Sequence, residues 1–104
     1  MVHSVSPVEA QELIAKGELE VVDVREPREW STGHLRGARH VPLDRLRGSP
    51  KKALTRDGVL FVCAAGMRSE TAARLAVANG LSNVYNLSGG TRGWVKAGLE
   101  LVQD

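Results

Sequence analysis

One cysteine, four aromatic residues and no long apolar run set the first limits on this chain. The single thiol, Cys63, excludes an intrachain disulfide and any paired-cysteine metal site. The three histidines are scattered, with no zinc-ligand spacing among them, so no metal site is expected. With two Trp, one Tyr and one Phe, the core must be built mainly from Val, Leu and Ala. No apolar run approaches membrane-spanning length. The first residues, "MVHSVSPVEAQ", lack the apolar centre of a signal peptide. A cytoplasmic protein with no membrane partner is therefore expected. Charge of one sign is also lacking: 14 Lys and Arg face 12 Asp and Glu, a net charge of +2. That is far from the basic footprint of a nucleic-acid binder, and no nucleic acid is expected as a partner.

What is present is an ordinary globular composition, 42% hydrophobic and 25% charged over 104 residues. The length suits a single domain over residues 1–104. Short apolar runs alternate with helical patterns, which predicts an α/β fold with a parallel sheet. "HSVS" is a short edge strand. "SPVEAQELIAKG" is a helix with Ser6 as N-cap, Pro7 in the first turn, Glu9 completing a capping box and Gly17 as the stop. Val8, Leu13 and Ile14 are expected on its buried face. "LEVVDVR" is a buried strand, "EPREWSTGH" a helical turn ending at Gly33, and "GARHVPL" a strand closed by Pro42. "LDRLRGSPKKAL" reads as a weak helix and loop. "GVLFVC" is the most apolar strand and the expected centre of the sheet. Arg68 to Asn79 is the strongest helix, stopped by Gly80. "SNVYNL" is the last strand, and "SGGTRGWVKAGLEL" turns on its glycines into a final helix. Gly89 and Gly90 lack a following Gly-Lys-Ser/Thr, which excludes a Walker-type phosphate loop.

Ligands of parallel α/β sheets bind beyond the carboxyl ends of the strands. Cys63 stands at one such end, Asp23 and Arg25 at another. After Cys63 come Ala64, Ala65, Gly66 and Met67, and then a helix opening at Arg68. Small residues and a glycine let consecutive N–H groups turn inward, and the helix N-terminus adds further donors. A thiol there is expected to have a lowered pKa and to react as a thiolate. The other reading of these residues is a buried, inert cysteine.

Three stretches carry a family resemblance. "CAAGMRS", Cys63 to Ser69, resembles the active-site loop of the rhodanese sulfurtransferases, Cys-x-x-Gly-x-Arg-Ser. "VVDVREPREWSTGHLRGARHVPL", Val21 to Leu43, resembles the family's first signature, and "VYNLSGGTRGWVKAGLEL", Val84 to Leu101, its C-terminal one. The order is right and the coverage nearly complete, in the single-domain form. The resemblance implies a five-stranded parallel sheet flanked by helices on both faces. It implies a ping-pong reaction in which Cys63 takes sulfane sulfur from thiosulfate or a similar donor as a persulfide. The N–H groups of Ala64, Ala65, Gly66, Met67 and Arg68 would cradle that sulfur, and a thiophilic acceptor, cyanide in the usual assay, would remove it. No metal or organic cofactor is implied.

A further reading is a Cys-dependent phosphatase or arsenate reductase, which the resemblance disfavours, since those relatives have one more residue between Cys and Arg. Four residues separate Cys63 from Arg68, a ring sized for one added sulfur atom. A different kind of reading is a sulfur carrier that docks on a protein acceptor, motivated by the basic run Arg36, Arg39, Arg45, Arg47, Lys51, Lys52 and Arg56. The plainer reading of that run is a solvated face. Asp23 and Arg25 are candidate supporting residues, through positive field or a bond to the loop, or else a structural ion pair. His34 reads as a hydrogen-bonded structural residue, while His3 and His40 carry no signal. Trp30 and Trp94 read as packing residues.

Overall fold

The computed structural model describes residues 1–103. Five strands form one sheet in the order β1-β5-β4-β2-β3. They are β1 (Val2–Val5), β2 (Glu20–Asp23), β3 (Arg39–His40), β4 (Val59–Val62) and β5 (Val84–Leu87). Every pairing is parallel. A parallel sheet needs cover on both faces, and alternation along the strands supplies the two apolar surfaces. In β4, Val59 and Phe61 face one core; Leu60 and Val62 face the other. The first core is closed by α3 (Leu43–Gly48), α4 (Pro50–Ala53) and α5 (Met67–Ala78) through Leu46, Ala53, Ala72, Ala73 and Ala76. The second is closed by α1 (Pro7–Ala15) and α6 (Gly90–Lys96) through Ala10 and Trp94. The short helix α2 (Pro27–Trp30) lies beyond the end of β2.

The expected α/β class and all-parallel five-stranded sheet are observed, with β4 at the centre and β1 at an edge. The α1 capping box forms: the Glu9 N–H donates to Ser6 Oγ at 3.2 Å and the Ser6 N–H to Glu9 Oε1 at 3.0 Å. Val8 departs from expectation and is exposed. At 100° per residue it lies nearly opposite Ala10, which with Leu13 and Ile14 forms the buried stripe. The strand expected over "GARHVPL" shrinks to Arg39–His40, and the weak helix after it is two short helices broken at Ser49.

The chain leaves β4 toward β5 and leaves β2 toward β3. The loops at the carboxyl ends of these adjacent strands therefore diverge, and the crevice between them is the topological switch point. Cys63 follows β4 there, and Arg25 follows β2.

Candidate active site

Cys63 is 1% exposed and directly follows the carboxyl end of β4. The turn after it depends on Gly66, the N-cap of α5, whose φ of +101° is open to glycine and strained for other residues. Three loop carbonyls are tied away from the sulfur. The Thr91 N–H donates to the Cys63 carbonyl at 2.8 Å, and the Arg92 N–H to the Ala64 carbonyl at 3.1 Å. Asn86 Nδ2 donates to the Gly66 carbonyl at 3.1 Å. With carbonyls turned out, amide N–H groups turn in, and the Gly66 N–H donates to Cys63 Sγ at 3.1 Å. The Gly89–Gly90 turn makes this buttress fit, because a Cβ on Gly90 would overlap the backbone of Cys63 and Ala64.

Ser69 stands in the first turn of α5 and is fully buried. Its hydroxyl lies 3.2 Å from Cys63 Sγ and also reaches Asn86 Oδ1. A hydroxyl has one proton, so Ser69 donates either to the amide or to the sulfur, and an anionic sulfur draws it. Burial pushes the Cys63 thiol up. Hydrogen bonds from the Ser69 hydroxyl and from the Ser69, Ala65 and Gly66 N–H groups outweigh it and bring the thiol below its ordinary range. Ser69→Ala removes a donor that favours the thiolate. The midpoint of thiolate ultraviolet absorbance should therefore move to higher pH, whereas an unchanged midpoint would remove Ser69 from this account.

Arg68 is placed at the rim. Its Nη1 and Nη2 donate to Glu29 Oε1 and Oε2 at 2.7 and 2.9 Å, a bidentate bridge from α5 to α2. Hydrogen bonding to Arg68 opposes the cost of burial and holds the Glu29 carboxyl down at about 2. Glu29 is thus an anion across the neutral range. Its position follows from its neighbour: the Trp30 ring stacks on His34 at 3.6 Å and on His40 at 4.7 Å. His34 Nδ1 contacts the Leu35 carbonyl at 3.0 Å, and His40 Nε2 the Arg25 carbonyl at 2.7 Å.

Asp23 and Arg25 form a buried pair, Arg25 Nη2 to Asp23 Oδ2 at 2.9 Å. Asp23 bonds Arg25 and makes no hydrogen bond to the loop among the described residues. Arg25 Nη2 also donates to the Gly33 carbonyl at 2.6 Å, which fastens the segment after α2. The pair reads as the structural one, although the Arg25 side chain also lines the mouth. Met67, 80% exposed, stands at the first turn of α5, one residue before the expected helix start.

Residues 6–97 match the rhodanese-like domain family. The chain belongs to this family. Thiosulfate sulfurtransferase GlpE of Pseudomonas entomophila is 37% identical over 90 residues, 86% of this chain and 82% of that protein. The uncharacterized protein YqhL of Bacillus subtilis is 39% identical over 75 residues, 72% of this chain; the match spans 60% of that relative's length. A rhodanese-related protein of Thermoplasma volcanium superposes in its crystal structure with a TM-score of 0.88 at 31% identity, covering 98% of this chain and 99% of that one.

The rhodanese-like domain brings together residues to which the loop motif gave no role. Ser69 stood in the quoted motif without one. Asn86 had a legible signal, a polar residue in the apolar run "VYNL" at an inward-facing register position. Glu29 had none, since its partner is 39 residues away. Among the described residues of the domain, no cluster of His, Cys, Asp or Glu is placed to hold a metal. Among the described residues no helix is long and apolar enough to cross a membrane.

Proposed function

We propose that this chain, as one domain over residues 1–104, is a sulfurtransferase working through a persulfide on Cys63. One observation carries the reading: a lone thiol whose sulfur accepts a hydrogen bond from the Gly66 N–H and lies within reach of the Ser69 hydroxyl at the switch point. The similarity to proteins named thiosulfate sulfurtransferase supports thiosulfate as donor. The Cys63 thiolate attacks the outer sulfur of thiosulfate. A bond forms from Sγ to that sulfur, the sulfur–sulfur bond of the donor breaks, and its electron pair leaves on sulfite. The N–H groups of Ala64 to Arg68 receive the anionic outer sulfur. Cyanide carbon then attacks this sulfur, thiocyanate departs, and the pair returns to Sγ. The chain has no second cysteine to take the sulfur, so an external acceptor completes each turnover.

The phosphatase reading meets two obstacles at the rim. Arg68 is held bidentately by Glu29, whose carboxylate takes one donor from each terminal nitrogen and places a negative charge beside the guanidinium that would repel a phosphate. Glu29, the carboxylate at the mouth, is ionised down to about pH 2 and cannot act as general acid near neutrality. The carrier reading rests on the basic run. There Arg39 is bound by Glu20 and Arg47 by Asp44. Steady-state thiocyanate formation against both substrates tests the proposal. Parallel double-reciprocal lines are expected, and intersecting lines or no Cys63-dependent thiocyanate would contradict it.

A further inference from the structure

Asn86 is a polar residue that neither the loop motif nor the core accounts for. It is 4% exposed on β5, and strand alternation puts its side chain on the face of Val84, in the core closed by α5. An amide is costly in an apolar core unless its groups are paired. Both ends are paired here, and one end decides the other. The Gly66 carbonyl can only accept, so it takes the NH2 end, Nδ2 at 3.1 Å. That leaves Oδ1, which also only accepts, for the Ser69 hydroxyl. Ser69 thus has one proton and two acceptors, Asn86 Oδ1 and Cys63 Sγ at 3.2 Å. Opposite Asn86 on the neighbouring strands stand Ser4 and Phe61, neither of which ionises. The charged groups on the elements around the thiol are Asp23 and Arg25 at the end of β2, Arg28 and Glu29 on α2, Arg68 on α5 and Arg92 on α6. None of them hydrogen-bonds Ser69 or Asn86 among the described residues. Glu70, next along α5, is bound by Arg74.

We infer that Asn86 is a positioning residue for the sulfur chemistry: fixed by the Gly66 carbonyl, its Oδ1 holds the Ser69 proton while Sγ is uncharged and yields it when Sγ is an anion. The inference rests on the sulfur-transfer reading and adds a residue to that same site. In the thiolate the Ser69 proton turns to sulfur, and two acceptor oxygens are left facing each other. Their repulsion offsets part of what the Ser69 donor contributes to the anion. In the persulfide the negative charge has moved to the outer sulfur, and the Ser69 proton returns to Asn86. The donor therefore serves the attacking thiolate without holding it in that state at full strength.

A double-substitution cycle on the midpoint of thiolate absorbance tests this. Ser69→Ala should raise the midpoint in the parent. In the Asn86→Leu background it should raise it by about 0.5 to 1 pH unit more, because no second acceptor then draws on the hydroxyl. Equal shifts in the two backgrounds would make Asn86 purely structural and overturn the inference. A second measurement needs no change at Asn86, should its replacement unfold the chain: the side-chain carbonyl 13C resonance of Asn86 in the intact protein. It should titrate with the Cys63 midpoint and stay flat across that midpoint in Ser69→Ala. After thiosulfate has added a sulfur atom, it should return to its low-pH position. A resonance indifferent to Cys63, or one that follows it equally in Ser69→Ala, would overturn the inference. So would a persulfide that leaves the resonance at its thiolate position. Thiosulfate treatment that adds no sulfur would instead sink the sulfurtransferase reading, and the two titrations would still decide the role of Asn86.

Discussion

Cys63→Ser should lower thiocyanate formation from thiosulfate and cyanide by at least about a thousandfold, the scale seen when a covalent nucleophile is removed. The substitution keeps the size and the hydrogen bonds of the site. Gly66 and Ser69 can donate to an oxygen as they do to Sγ. What changes is the chemistry. A hydroxyl stays protonated at neutral pH, where the cradle has brought the thiol below its ordinary range. It is also a poor nucleophile toward sulfur. Because Cys63 is buried, the circular dichroism and thermal midpoint of the variant must be compared with the parent, so that lost turnover is not mistaken for lost fold. A residual rate within tenfold of the parent would place the chemistry elsewhere.

Gly90→Ala should cost about 3–5 kcal/mol of stability and undo the cradle as well. Two effects add. Gly90 has φ +60°, a region that costs other residues. The new Cβ would also overlap the backbone of Cys63 and Ala64. Relief requires α6 to back away from the loop, which loosens the bonds from Thr91 and Arg92 to the loop carbonyls. The amides then lose their inward tilt, so the thiolate titration should shift to higher pH together with the loss in urea midpoint. Gly98→Ala is the control: a positive φ with no atom within 4 Å, hence strain without overlap and an unchanged Cys63 titration. A Gly90→Ala protein with parental stability and titration would show that the buttress is not needed.

The two glycines illustrate what was legible in the sequence. Gly89 and Gly90 read correctly as a turn from strand to helix, because local backbone conformation is a local property. That the turn presses against Cys63 follows from strand order, which brings β5 beside β4, and no local pattern carries that. The same division runs through the site. The end of β4, the small-residue loop and α5 were legible to within one residue from apolar runs and glycine positions. The bonds from Ser69 to Asn86 and from Arg68 to Glu29 join residues 17 and 39 positions apart, so only the fold reveals them. His40, silent as one histidine among three, acquires its role from stacking on Trp30. Val8 failed for a simpler reason. It was grouped with Leu13 and Ile14 by hydrophobicity, while the helical angle sets it apart.

Intact mass after incubation with thiosulfate and removal of excess reagent tests the central claim most directly. A gain of one sulfur atom is expected, absent in Cys63→Ser and reversed by cyanide with stoichiometric thiocyanate. An unchanged mass under conditions where sulfite is released, or an added sulfur that persists in Cys63→Ser, would contradict the account.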